Sequence, residues 1–256
     1  MSNNVVNAYR YATGGLDDTG LKAYYKFDEV SGDIIEQSQS AVALGSGADI
    51  QVTGATYADS SAPSSFASSM LFDGSNDYAI AGTSTSQFNF LSKDNIESTV
   101  CMWIRQASSP PSSEPSWIAS GGGTASNVGC DFFISSAMKL TYYISNGSGA
   151  HYALLDCGNS YIPDLTSWHF YCGTFDYALG SNNQKMRRNN SNLVQASPVG
   201  SSASSNSAYP LTFMINPRTM NNPINAYCCE FSLWSKVMSD PDQTTLYNSG
   251  AGMEIY

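Results

Sequence analysis

Three oxygen-bearing side chains stand close together in the segment SMLFDGSNDYAIAG, residues 69–82. Asp73, Asn76 and Asp77 offer two carboxylates and an amide within five positions, and calcium takes roughly six to eight such oxygen ligands. The same residue types also make turns, because Asp and Asn hydrogen-bond their own backbone and Gly accepts positive φ. The segment lacks the D-x-D-x-D-G spacing of an EF-hand loop. Two interpretations, a calcium site and a plain turn, therefore stay open.

Short apolar runs on either side of this segment predict the elements that would hold these side chains. Residues 70–72 and 78–80 predict two strands, joined by DGSND as the turn of a β-hairpin. Residues 21–28 alternate between apolar and polar side chains, which predicts a half-buried strand. Residues 98–105 and 168–175 are apolar on both faces, a pattern typical of the central strands of a sandwich.

The remainder of the chain continues this β pattern. Strand-like runs between residues 130 and 155 start about ten residues apart, the spacing of a meander in a sandwich or barrel. One helix is predicted near the C-terminus, with Asp240 as its N-cap and Pro241 at its first helical position. The chain is therefore predicted to be an N-terminal arm, residues 1–19, followed by a single all-β domain, residues 20–256.

Four segments resemble, in order along the chain, the laminin-G-like, concanavalin A-like jelly-roll family. They are GLKAYYKFDEVSGD, SMLFDGSNDYAIAG, STVCMWIR followed by WHFYCGTFD, and EFSLWSKVMSDPDQTTLYNSG. The resemblance implies a two-sheet antiparallel jelly-roll sandwich with paired N- and C-terminal strands and one short C-terminal helix. It also implies recognition of glycans or proteins and, in some members, a calcium ion on the rim. The chain departs from the family pattern at Phe170, where the family has a second His, and at residues 186–190, which replace a Leu-Tyr-Val-Asn-Gly hairpin.

Aromatic side chains near predicted loops are the candidates for ligand contact. The sequence holds 16 tyrosines and four tryptophans, and aromatic faces with polar tips suit both sugar stacking and interfaces. Most of them are expected in the core or on the sheet surface. The tyrosines predicted to bind a ligand are Tyr143, Tyr152 and Tyr161.

Two groups containing cationic residues are candidates for partner contact. One is a basic spot that would meet an acidic partner surface or a sulfated or sialylated sugar, formed by Lys185, Arg187 and Arg188. The other lies in the arm and would dock on a neighbouring subunit, through Tyr9, Arg10 and Tyr11. A solvated hairpin edge and a frayed arm explain the same residues, so both alternatives stay open.

The acidic and histidine side chains show no catalytic pattern. Jelly-roll glycosidases that resemble this chain carry an E-x-D-x-E strand, whose closely set carboxylates act as nucleophile and acid, and no such triplet is present. Glu97, Glu114 and Glu230 are isolated in the sequence. There is also no G-x-S-x-G or H-E-x-x-H motif. A non-enzymatic protein without catalytic residues is predicted.

Composition and the N-terminal residues limit which classes of partner and which cellular compartment are expected for the chain. A net charge of −10 argues against nucleic acid and anionic membranes as partners, because phosphate binding needs a basic surface. The first residues lack a basic segment followed by an apolar run, so the expectation is a chain made in the cytoplasm without a signal peptide. The six cysteines form no C-x-x-C pair and lie mostly within apolar runs, which favours buried free thiols over the alternatives of a disulfide framework and a metal site.

Together these features favour a virion component, a bacteriophage-like capsid-decoration or tail-appendage protein that displays a recognition domain. Its partners would be other virion proteins or copies of itself, with a host-surface glycan as ligand. It would be made in the host cytoplasm and located on the virion. The alternative is a free, extracellular carbohydrate-binding lectin, and a glycoside hydrolase is the third hypothesis. Calcium is the one cofactor that the resemblance suggests.

Overall fold

The computed structural model describes residues 16–38, 44, 47–94, 96–110, 115–121, 124, 126–135, 137–149, 151–158, 161–197 and 202–255. Their strands form two antiparallel sheets of eight and seven strands, sheet A and sheet B. Sheet A contains β1 (Leu21–Tyr25), β3 (Thr56–Asp59), β4 (Ser69–Asp73), β6 (Glu97–Gln106), β11 (His169–Asp176), β12 (Gln184–Arg188), β13 (Ser191–Ala196) and β15 (Asn225–Trp234). Sheet B contains β2 (Ile50–Thr53), β5 (Tyr78–Ala81), β7 (Ser116–Ala119), β8 (Gly129–Ile134), β9 (Leu140–Ser145), β10 (His151–Asp156) and β14 (Leu211–Phe213).

One core fills the space between the two sheets. Successive side chains of a strand point to opposite faces, so every second residue of each strand enters this core. Phe72 and Phe231 from sheet A and Phe132 and Phe213 from sheet B are fully buried there. The rings of Phe213 and Phe231 make an edge contact across the interface, with centroids 5.1 Å apart. This arrangement confirms the predicted all-β, two-sheet jelly-roll sandwich.

Strand β15 is the centre of sheet A. One of its edges pairs with β6 along nearly its whole length, and the other pairs first with β4 and then with β1. The contact between β1 and β15 confirms that the N-terminal and C-terminal strands pair. Across the sheet the strand order is β13-β12-β11-β6-β15-β4-β3, and in sheet B it is β10-β9-β8-β7-β14-β5-β2. Consecutive pairing of β8, β9 and β10 confirms the predicted meander.

The predicted hairpin over DGSND is wrong. Strand β4 pairs with β3 and β15 in sheet A, whereas β5 pairs with β2 and β14 in sheet B. The segment therefore crosses from one sheet to the other. The physical reason is that both strands send their alternate side chains, such as Phe72 and Ala79, into the same core. Two strands on opposite sides of that core cannot exchange ladder hydrogen bonds.

The outer face of sheet A carries a second, smaller apolar cluster under the helix α1 (Asp240–Tyr247). Trp103 of β6 and Phe170 of β11 are buried there, and the ring of Tyr247 stacks on Trp103 with centroids 5.9 Å apart. This covering explains why β6 and β11 are apolar on both faces. The helix begins as predicted to within one residue: its N-cap is Ser239, which accepts a hydrogen bond from the backbone N–H of Asp242, and not Asp240.

All six cysteines are buried free thiols, as predicted. Two short 3-10 turns lie at Asn89–Leu91 and Asn248–Gly250. Within those ranges, no helix is both long enough and apolar enough to span a membrane.

Candidate functional site

A cleft of about 380 Å³ opens at the rim of sheet A, where β4 and β6 end and β15 begins. Its walls are Asp73, Gly74, Ser108, Ser109, Asn222, Pro223 and Asn225. Gly74 is required here, because its φ is +79° and a Cβ would lie 2.9 Å from the Cβ of Asn225. The cleft thus presents a carboxylate, two amides and two hydroxyls at one place on the surface.

Directly beside this cleft, three side chains on the outer face of sheet A form a surface that we call the aromatic platform: Arg105, Trp168 and Tyr227. The Arg105 guanidinium lies 3.8 Å from the centroid of the Tyr227 ring and 5.8 Å from that of Trp168. The two rings meet edge to face, with centroids 6.4 Å apart. All three residues are partly exposed, and such stacking holds a guanidinium and two rings in fixed positions.

Sheet register explains how the platform forms and why it adjoins the cleft. Arg105 pairs directly with Tyr227, and Asn225 pairs with Asp73. Tyr227 and Asn225 are two residues apart on one face of β15, a separation of about 7 Å. Trp168 immediately precedes β11, whose next outward residue is the buried Phe170. The platform is therefore the row of outward side chains just beyond the cover that α1 provides.

Two polar hydrogens of the platform have no acceptor among the described residues. The Nε atom of Arg105 and the indole Nε1 of Trp168 are buried and make no hydrogen bond there. An unsatisfied buried donor costs about 1–3 kcal/mol. Because both atoms are buried, an acceptor from a bound molecule could reach them only if Arg105 or Trp168 changed conformation.

The rim residues predicted to bind calcium serve the backbone of their own segment. Asp77 is buried and accepts a hydrogen bond from the backbone N–H of Asp73 at 2.8 Å, and burial raises the pKa of Asp77. Asp73 Oδ1 accepts from the N–H of Ser75 at 2.7 Å, while Asn76 is exposed. Among the described residues, no three His, Cys, Asp or Glu side chains group to hold a metal. A bound ion would have to share or replace these turn contacts, and calcium binding by Asp73, Asn76 and Asp77 stays a prediction.

The structure does not gather the tyrosines predicted to bind a ligand. Tyr143 is fully buried and Tyr161 is buried beneath Arg188, whose guanidinium lies 5.2 Å from its ring centroid. Tyr161 also donates to the carbonyl of Met186. Both rings are buried in this arrangement, and a ligand contact of Tyr143, Tyr152 and Tyr161 stays a prediction. The side chain of Tyr152 lies outside the described part of the chain.

The basic spot does not form one surface. Alternation along β12 places Lys185 and Arg187 on the face opposite to the buried Met186, whereas Arg188 shares the face of Met186. Arg187 pairs with Asp240 of α1 at 2.9 Å, and Arg188 donates to the carbonyl of Tyr161. A partner contact for these residues stays a prediction. The arm residues predicted to dock on a neighbour, Tyr9, Arg10 and Tyr11, lie outside the described residues.

A second polar cluster is buried under the C-terminal segment. Glu230 sits at a bulge of β15 with φ of +55°, and the hydroxyl of Tyr24 donates to its Oε2. Burial raises the pKa of Glu230 to about 8, and the hydrogen bond from Tyr24 opposes part of this rise. The adjoining cavity measures about 10 Å³, room for about one water molecule. In this arrangement the cavity is too small for a substrate molecule.

The two-sheet fold defines the class: a jelly-roll sandwich of the laminin-G and concanavalin A type. Residues 73–242 match the family described as the concanavalin A-like lectin/glucanases superfamily. The chain belongs to this superfamily. Curated proteins gave no match.

Solved structures of low sequence identity share the fold. The binding domain of botulinum neurotoxin DC, in complex with SialylT, aligns with a TM-score of 0.63 at 16% identity, over 91% of this chain and 52% of that one. The same domain in complex with rat synaptotagmin II gives 0.63 at 15%, again over 91% and 52%. The botulinum neurotoxin serotype D binding domain gives 0.59 at 14%, over 90% and 51%. This chain thus spans about half the length of these structures.

Sequence reasoning missed all three residues of the platform. Arg105 and Trp168 lie at the ends of two of the family-like segments, STVCMWIR and WHFYCGTFD, and Tyr227 precedes a third. The usable signal was the alternation that puts Arg105 and Tyr227 on the outward face of central strands. Neither segment alone indicates the register between β6 and β15 that brings these two side chains together.

Proposed function

We propose that this chain is a non-enzymatic recognition module that binds a glycan on the outer face of sheet A, over the cleft and the aromatic platform. The observation that carries the proposal is the Arg105–Tyr227 stack, 3.8 Å between guanidinium and ring centroid, beside a polar cleft of about 380 Å³. Binding sites commonly combine aromatic surface with a few well-placed polar groups.

The chemistry of the two surfaces matches the two faces of a sugar. A pyranose ring offers apolar C–H groups, which pack on aromatic rings such as those of Trp168 and Tyr227. Its hydroxyls donate and accept hydrogen bonds, which the carboxylate of Asp73 and the amides of Asn222 and Asn225 can complete. The fixed orientation of the platform lowers the entropic cost of binding.

The comparisons support a recognition role without defining the ligand. The superfamily description includes lectins, and one structural neighbour is a toxin binding domain in complex with SialylT. Another neighbour is in complex with rat synaptotagmin II. A glycan on a cell surface is therefore the ligand class that we propose.

A glycan array tests the proposal. The labelled full chain is applied to neutral and sialylated oligosaccharides, and selective binding to a subset is expected. Trp168→Ala removes one platform ring and should weaken binding to those glycans by about tenfold or more, as truncation of a central aromatic contact typically does. A flat array, or undiminished binding by the variant, would overturn the proposal.

A matched variant separates loss of contact from loss of fold. Tyr177 is an aromatic residue of similar kind, 38% exposed, at the opposite end of β11 from Trp168. Tyr177→Ala should bind as the unmodified chain does. Thermal unfolding of both variants identifies any general destabilisation.

The location on a virion remains part of the same proposal. A capsid-decoration or tail-appendage role would place this glycan-binding surface where a particle meets its host, whereas a free lectin would act alone outside cells. Mass spectrometry of purified particles from the source distinguishes the two. Presence of the chain in particles supports the virion role, and its absence leaves the free lectin.

A further inference from the structure

Two cysteines face each other across the centre of sheet A. Cys101 of β6 and Cys172 of β11 are direct partners in the antiparallel register. Both belong to the outward-facing cluster under α1, and each is 1% exposed. Their Sγ atoms are 2.7 Å apart. The chain thus holds two thiols on one face, at one register position, from segments 71 residues apart in sequence.

The backbone at this position suits a disulfide bond. Opposed residues of an antiparallel pair have Cα atoms roughly 4.5 or 5.5 Å apart, and disulfides span about 4.4–6.8 Å between Cα atoms. Their Cβ atoms point to the same side of the sheet. Closing the two sulfurs to the bond length of about 2.05 Å therefore needs side-chain rotation and small shifts rather than movement of a strand.

We propose that Cys101 and Cys172 form a cross-strand disulfide in the presence of a small disulfide oxidant such as oxidised glutathione, either while the chain folds or when the outer face of sheet A opens transiently. The thiolate of one cysteine attacks the oxidant and releases one glutathione thiolate. The thiolate of the other cysteine then attacks the mixed disulfide and releases the second. Two protein thiols lose two protons and two electrons, and one glutathione disulfide is reduced to two thiols.

The packing around the pair controls when the bond forms. Burial, together with Cys172, raises the pKa of Cys101 well above its ordinary value, and only thiolates react. Exchange in the closed sheet is therefore slow, and it proceeds during folding or through opening of the outer face beneath α1. Once made, the bond is shielded from reductants by the same packing.

The bond would also fix the two strands that carry part of the platform. Arg105 lies four residues beyond Cys101 on β6, and Trp168 lies four residues before Cys172 at the start of β11. A covalent link between these strands holds that pair of side chains in register. Formation of the bond depends on the two cysteines and not on whether the platform binds a glycan.

The test is disulfide mapping of the unmodified full chain. The chain is refolded once with a mixture of oxidised and reduced glutathione and once with reductant alone, alkylated, and examined by intact mass and by peptide mass spectrometry. We expect the oxidised sample to lack two alkylations and to yield one linked peptide pair, Cys101 with Cys172. We also expect its melting temperature to exceed that of the reduced sample by about 5–10 °C, since the bond closes a long loop.

Matched variants make the result specific. Cys157→Ala changes the cysteine that follows β10, which is 8% exposed and lies outside the pair, and should keep both the linked peptide and the shift in melting temperature. Cys101→Ala with Cys172→Ala should lose both. Six alkylated thiols in the oxidised unmodified chain, or a linked peptide that joins other cysteines, would overturn the proposal even if the double variant failed to fold.

Discussion

Replacing Glu230 by glutamine should remove a large pH dependence of stability. The side chain is 6% exposed, and its surroundings contain the hydroxyl of Tyr24 together with the charges of Lys26, Asp28 and Glu254. Its pKa rises from the ordinary 4.5 to about 8: burial is the largest cause, Glu254 and Asp28 add to the rise, and the Tyr24 hydrogen bond and Lys26 oppose it. Glutamine keeps the shape and an oxygen acceptor for Tyr24 but cannot ionise.

The sign and size of this pH dependence follow from the linkage between protonation and folding. The folded chain binds the Glu230 proton more tightly than the unfolded chain, so the stabilisation is complete below pH 4.5 and is lost as the pH rises through about 8. A shift from 4.5 to about 8 corresponds to a loss of about 3 kcal/mol between about pH 5.5 and 8.5. Glu230→Gln should therefore gain stability over the unmodified chain as the pH increases.

The assay is urea denaturation of both proteins at several pH values, with the free energy of unfolding extrapolated to water. The difference in the free energy of unfolding between the two proteins isolates the effect of Glu230. His169, whose pKa burial lowers, changes the pH dependence of stability in the opposite direction, but it does so in both proteins and therefore cancels. Glu97→Gln alters an exposed carboxylate on β6 and serves as the control. If Glu230→Gln and the unmodified chain run parallel from about pH 5.5 to 8.5, the account of a buried, protonated Glu230 is refuted.

Two further substitutions test the packing that shapes the rim and the core. Asp77→Ala should lower the free energy of unfolding by about 1–3 kcal/mol in urea denaturation, because it removes the buried acceptor that holds the crossing segment. Asn76→Ala, at an exposed position, should change it little. Thermal melts of the unmodified chain with calcium and with EDTA test the predicted ion, which would raise the melting temperature by mass action. Gly173→Ala should cost about 1–3 kcal/mol, because a Cβ there would lie 2.7 Å from the Phe132 ring of the facing sheet. Gly180→Ala, with open space around it, should be neutral, and equal stability of the two glycine variants would contradict the packing described.

Strand content and fold class could be predicted from the sequence because alternation and family-like segments are local signals. The apolar faces of β6 and β11 indicated central strands, and the structure adds the reason: one face meets sheet B and the other meets α1. The crossing at DGSND could not be predicted, since a turn sequence says that the chain reverses but not which sheet receives it. Met70 and Phe72 fit either arrangement until the partners of β4 are known.

The candidate site was less accessible to sequence reasoning because its parts are far apart in the chain. Arg105, Trp168 and Tyr227 meet only through the register of β6, β11 and β15. Tyrosines near predicted loops were favoured instead, and Tyr143 and Tyr161 proved to be buried. Whether a side chain on these strands is exposed depends on long-range packing over them, and no single motif predicts that packing.

The most direct test of the proposed glycan site is the indole region of a ¹⁵N NMR spectrum. The chain has four tryptophans; Trp103, Trp117 and Trp234 are no more than 2% exposed, whereas Trp168 is partly exposed. Trp168→Phe assigns its indole signal, and the chain is titrated separately with lactose, with 3′-sialyllactose and with the glycans selected on the array. We expect a saturable shift of the Trp168 signal with at least one of these sugars while the other three signals stay nearly fixed. A sugar that binds without moving the Trp168 signal would contradict it.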